Sequence, residues 1–301
     1  MKNLHYLIGL TLAGSMTFTS CGGGDEKVDG PEDGMDTTTK VETNVNTPVS
    51  ETFFQVPSPG EMLTFIKMVG DPKKKDISFL NPPDNQKNYN DSKSKALNFG
   101  IYSCDLSYCS IFEIGSEALK YFKSVKIMGD QIGVSTAIKP EILKRLEANL
   151  GKPDSLAVIT DDVYFSSFEA LEDSKQGPTL ACVVAGGWLE SLYIATQLAK
   201  WEPNSPVIER LADQKYTLEN LIEFLKKHES DANVAAVKTD FEGLLAEFGK
   251  LTEKNITEGK KSKDSKSTLI GGGTQLVMTK EIYTAIVGKI KSLRNSYTLT
   301  K

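Results

Sequence analysis

Residues 91–126, DSKSKALNFGIYSCDLSYCSIFEIGSEALKYFKSVK, decide the fold. Leu97, Ile101, Cys104, Tyr108, Ile111, Gly115, Ala118, Phe122 and Val125 follow one another at alternating steps of four and three, a helical seam sustained for four heptads. The spacing predicts one long helix. Phe99, Tyr102, Leu106 and Cys109 form a second stripe on the opposite side of its first half, so the helix should be packed from both directions and lie centrally.

Beyond this stretch helical periodicity recurs and strand signals are scarce. Ser58, Pro59, Gly60 and Glu61 form a capping box with proline at the first helical position, opening a helix through Met62, Phe65, Ile66 and Val69. Residues 70–90, dense in Pro, Asn and Lys, read as a surface loop of a composition that seldom makes a site. Pro140 starts a short helix that Gly151 stops, and 154–173 continues with Leu156, Ile159 and Val163 on one face. From Thr179 to Gln197 (TLACVVAGGWLESLYIATQ) the sole charge is Glu190; two adjacent glycines and several hydroxyls favour a buried core helix over a membrane span. Further helices are expected over Ile208 and Leu211, over Leu218 to Leu225, and over the three-four seam Val234, Val237, Phe241, Leu244, Phe248 and Leu251. A last amphipathic helix, from about Thr279 to Asn295, presents Ile282, Ile286, Ile290 and Leu293. The fold class expected is all-α: an irregular multi-helix bundle behind a disordered N-terminal tether. No repeat of fixed period is visible, which leaves a helical-repeat-like stack as the alternative.

The N-terminus carries a different signal. Lys2 precedes an apolar run, residues 4–18, that is short and rich in small residues, as in the core of a secretory signal peptide. Phe18, Thr19, Ser20 and Cys21 then lead into Gly22, Gly23 and Gly24. This placement of apolar residue, small residues and cysteine resembles the lipobox of bacterial lipoproteins. The resemblance implies cleavage before Cys21, acylation of its thiol and new amine, and membrane lipid as a partner through the acylated Cys21. Two or three acyl chains, at roughly 0.8 kcal/mol per buried CH₂, make such an anchor essentially permanent. Asp25 and Glu26 look like the acidic surface-export signal of Bacteroidetes lipoproteins, which implies a cell-envelope location at the outer membrane, on either face. Residues 22–50 hold Gly, Asp, Glu, Thr and Pro with almost no large apolar side chain and cannot repay the entropy of ordering. The organisation expected is a signal peptide at 1–20, the lipidated cysteine and flexible tether at 21–52, a helical domain at 53–253, a flexible linker at 254–273 and a C-terminal helix at 274–301.

Composition narrows the function. Of 301 residues 39% are apolar, enough for a real core, and the formal charge is -5 with 35 basic against 40 acidic residues. Only Arg145, Arg210 and Arg294 are arginines, the opposite of a nucleic-acid binder. His5 lies in the expected signal peptide, so a mature chain keeps His228 alone, too few for paired histidine metal motifs. His228 follows Lys226 and Lys227 and is expected at a helix C-terminus. Cys104 and Cys109 sit about 140° apart around one helix and cannot bridge each other. Cys182, among Ala181, Val183 and Val184, reads as a plain buried thiol, with a bridge to Cys104 or Cys109 as the alternative. Gly271, Gly272, Gly273 and Thr274 lack the preceding strand of a phosphate loop, and Lys260, Lys261, Lys263 and Lys266 read as a solvated linker.

Acidic residues in apolar surroundings are the remaining candidates: Asp105 between the two stripes, Asp161 on the line Ala157, Tyr164, Phe168, Leu171, and Glu190. Buried carboxylates are costly unless paired. They form either an interhelical cluster for a cation or acid–base work, or structural contacts in which each meets a lysine or a tyrosine hydroxyl (Tyr102, Tyr108, Tyr164 or Tyr193) or points to a wet helix edge; the structural reading is preferred. No catalytic residue, metal ligand or cofactor is assigned. The function expected is a membrane-anchored envelope lipoprotein acting as a helical binding or scaffolding module for an envelope protein or exported ligand. A carboxylate-based envelope hydrolase or metal-dependent enzyme, and a small-molecule binding lipoprotein with a pocket between helices, are the alternatives.

Overall fold

The structure, a computed structural model, describes residues 56–69, 75–256 and 273–298. The chain divides into two units, 1–48 and 49–301, and every described residue belongs to the second. The signal peptide, Cys21 and the tether, like the lysines at 260–266, Gly271 and Gly272, lie outside the described residues.

The described residues are mostly helical. In chain order they form α1 (Pro59–Val69), a 3-10 turn (Pro83–Asn88), α2 (Ser92–Ile111), α3 (Gly115–Ile132), α4 (Pro140–Ala148), α5 (Pro153–Asp173), α6 (Gly177–Leu198), α7 (Pro206–Lys226), α8 (Ala232–Phe248), strands β1 (Thr252–Ile256) and β2 (Gly273–Val277), and α9 (Lys280–Thr298). Local chemistry starts these helices. The Ser58 N–H donates to Glu61 Oε2 at 3.0 Å while the Glu61 N–H donates to Ser58 Oγ at 3.3 Å, a reciprocal capping box. Asp91 caps α2, Ser205 α7 and Asp231 α8 through side-chain oxygens that accept from first-turn amides.

Helix α2 is the centre of the bundle. Every residue from Ala96 to Ile111 is buried, because α1, α3, α5, α6 and α9 all pack on it. Its backbone touches that of α6: a methyl at Gly100 would land on the Val183 carbonyl oxygen, and one at Gly186 on the Leu97 carbonyl oxygen. Only glycine permits this approach. Helix α6 is, by length and composition, long and apolar enough to cross a membrane, and 94% of its most apolar window is buried inside the fold. The seam expected in α8 is buried throughout, from Val234 through Phe241 to Phe248, each such side chain stabilising by about 1.5–3 kcal/mol.

Two expectations are corrected. The continuous helix over 91–126 is two helices, α2 and α3, separated at Phe112–Ile114. Glu113 takes a left-handed φ of 63°, and the Ile114 N–H closes back on the Cys109 carbonyl at 2.8 Å, a helix-terminating turn. The three-four spacing runs through this break because α3 folds back against α2 and needs its own apolar face. The second correction concerns 254–273, expected as linker, and 274–277, expected in the C-terminal helix and found in β2. Residues 254–256 and Gly273 belong to an antiparallel pair in which Thr252 faces Val277 and Ile256 faces Gly273. Leu276 and Met278 are buried, β2 lies along α7, and the Gln275 amide donates to Glu209 Oε1 at 2.7 Å. The side chains of Thr252 to Asn255 are exposed, so β1 carries no apolar alternation to announce it.

Candidate functional site: a buried charge cluster beside a polar cleft

Helices α2, α6 and α9 bring three charged side chains into the core. Glu190, fully buried on α6, accepts two hydrogen bonds from Arg294 on α9, Nε to Oε2 and Nη2 to Oε1, each at 2.9 Å. The guanidinium also lies over the Tyr193 ring, 4.6 Å from its centroid. Asp105, fully buried on α2, accepts from the Asn81 backbone N–H at 3.3 Å through Oδ2, and Glu190 is within hydrogen-bonding reach of it. Asp105 Oδ1 meets no donor among the described residues. Burial, followed by the Glu190 charge, pushes the Asp105 carboxyl well above the usual carboxylate range, with Arg294 acting in the opposite direction.

Asp161 is apart from this pair. It is half-buried on α5 against Gly60 at the start of α1. Burial, then the charges of Glu61 and Asp162, push it up to about 6. Of the three sequence candidates, the structure thus brings Asp105 and Glu190 together and leaves Asp161 elsewhere. The partners of Asp105 and Glu190 also differ from expectation. Glu190 meets an arginine rather than a lysine or tyrosine, while Tyr102 and Tyr108 donate to the carbonyls of Pro82 and Asp76, both at 2.9 Å. Sequence reasoning missed Arg294, although it falls four residues after Ile290, on the same buried face as Ile286 and Leu293. A charge in an apolar stripe was the available signal.

The segment before α2, expected as a surface loop, supplies the rest of the site. Leu80, Asn81 and Tyr89 are buried. The Asn81 side-chain amide donates to Tyr89 OH at 2.9 Å and to Asn98 Oδ1 at 3.2 Å, and Tyr89 OH donates to the Thr298 carbonyl at 3.0 Å. Asn98 in turn donates to the Tyr297 carbonyl at 3.0 Å. Tyr89 from the loop and Asn98 from α2 thereby satisfy carbonyls at the end of α9, a role invisible to composition.

Tyr89 also lines a cleft of about 550 Å³ between the start of α2, α8 and the end of α9. Asn88, Asn90, Asp91, Lys93 and Ser94 form one side, Asp240, Ser296 and Tyr297 the other. Tyr297 OH donates to Asp240 Oδ2 at 2.8 Å. The volume suits a small ligand, and the lining is amide, hydroxyl and mixed charge.

Cys104, Cys109 and Cys182 are free, buried thiols, each raised by burial. His228 follows α7, but its ring packs on Gly177 and edge-to-face on Phe224 at 5.4 Å; burial and Lys227 hold its pKa below the ordinary value. Among the described residues no group of three or more His, Cys, Asp or Glu side chains is arranged to hold a metal ion. Compared with protein families, curated proteins and solved structures, the chain finds no match.

Proposed function

We propose that this protein is a helical binding module of the cell envelope, anchored in the outer membrane by acylated Cys21, with the cleft at the α2–α8–α9 end as its binding surface. The lipobox-like residues 18–21 and the signal-like run at 4–18 support the anchor. The cleft carries the binding reading. Among the described residues that line it, one ammonium, Lys93, and two carboxylates, Asp91 and Asp240, lie with amides, hydroxyls and Leu97, a lining that favours a compact polar ligand, neutral or zwitterionic, over a polyanion or a hydrophobe. Asp105 and Glu190 are fully buried and out of reach of a substrate, so this pair supports a structural part within a binding protein.

The test uses the full chain in mild detergent. A panel of sugars, amino acids and short peptides is screened for a saturable rise in melting temperature, since a ligand that binds only the native state raises it by mass action. Ser296→Trp, an exposed position on the cleft wall, should abolish the rise while leaving the unliganded melt nearly unchanged. A panel with no active member, or a shift that survives Ser296→Trp, would count against the cleft.

A further inference from the structure

We infer that the Asp105–Glu190 carboxyl pair holds one proton at neutral pH, and that this proton fastens the segment 75–90, with the Tyr89 wall of the cleft, to the core. Arg294 bonds the two oxygens of Glu190, and among the described residues no cation is hydrogen-bonded to Asp105. From α3 and α6 the other titratable groups that sense Asp105 are Tyr121 and Tyr193; from the loop it is Tyr89. On α2 itself they are Tyr102, Cys104 and Cys109. All six are neutral acids raised by burial, so among the described residues Arg294 is the sole positive charge facing the pair. An ionised Asp105 would be an uncompensated buried charge with an orphaned Oδ1. A proton on Oδ1 removes both faults. The O–H donates to the Glu190 carboxylate, the cluster becomes electroneutral, and Oδ2 stays free to accept from the Asn81 N–H.

That last bond links proton to segment. Asn81 continues through its side chain to Tyr89, and Tyr89 to Thr298, so the loop is held at Asp105 and at the end of α9 together. Ionising Asp105 would leave two like charges in contact in the core, and the loop bonded to Asp105 is the element free to move away and admit water. The inference is independent of what the cleft binds.

The sign of the pH dependence follows from linkage. The native state keeps a proton that the unfolded chain loses at about pH 4, so stability falls as pH rises, by up to tenfold in the unfolding equilibrium constant per pH unit, until the native carboxyl ionises. Above about pH 6.5 most of the Asp161 change is past, while His228, held below its ordinary value, and the thiols of Cys104, Cys109 and Cys182, held above theirs, still titrate differently in the two states, so the Asp105 contribution is the difference in slope between wild type and Asp105→Asn. Asp105→Asn replaces the O–H by an N–H of similar shape without charge, and should flatten the slope in that range. Urea unfolding of the full chain in mild detergent, wild type against Asp105→Asn, measures it; equal slopes would overturn the inference. Infrared spectroscopy of the native chain at neutral pH provides a readout that does not need the variant to fold. The carboxylic-acid C=O stretch of a buried, protonated acid is expected, and its absence would be decisive against the proton. Hydrogen exchange at the Asn81 amide, corrected for the intrinsic base-catalysed rate, should lose protection at alkaline pH in the wild type alone. Protection that stays constant with pH in the wild type would sink the fastening of the loop.

Discussion

Glu190 and Arg294, 104 residues apart in the chain, close a two-pronged ion pair in the core with both contacts at 2.9 Å. The pair joins α6 to α9, and the side chains are 0% and 7% exposed. Desolvating both ions is costly, so its net worth is small, but the cost of breaking it is not.

Arg294→Met should therefore destabilise the fold by about 3–5 kcal/mol, because it strands Glu190 beside Asp105. The double variant Glu190→Leu, Arg294→Met should recover much of that loss. Urea unfolding of both variants at one pH checks the ordering, which a pair that merely supplied attraction would not produce.

Gly100→Ala tests the α2–α6 contact. In an ordinary helix alanine is preferred over glycine by about 1 kcal/mol, but here the methyl meets the Val183 carbonyl oxygen, so a net loss of about 1–3 kcal/mol is expected. Gly151→Ala, where nothing lies within 4 Å of the new methyl, serves as the control and should be close to neutral.

Asp161 has a native pKa of about 6, raised above its unfolded value. Its contribution is complete below about pH 4 and is lost as pH rises through 6. Asp161→Asn should gain on the wild type across that window, by about 1–2 kcal/mol after allowance for partial solvent screening, and hold the gain above it. Melting curves at acid and neutral pH measure the difference.

Cys21→Ser should abolish membrane attachment, with the chain either released after export or left unprocessed. Mass spectrometry of the mature N-terminus is the complementary measurement. An unmodified Cys21 would end the lipid-anchor proposal.

What the sequence determined alone is what depends on neighbours within a turn or two. The Ser58–Glu61 box and the Asp91, Ser205 and Asp231 caps place helix starts, because capping satisfies amides of the first turn. The apolar seam of α8 and the lone charge of α6 announce buried helices for the same local reason. The turn at Glu113, the β1–β2 pair and the partner of Asp105 were decided by tertiary structure. Three-four spacing does not record whether the chain doubles back, and strands of five residues joined across 257–272 form only where α7 offers β2 a surface. Asp105 and Glu190 were legible as odd charges in apolar helices. That one is paired with an arginine from the far end of the chain, and the other with a backbone amide from a loop, follows from desolvation, which sends each buried carboxyl to whichever polar group the packed helices bring near.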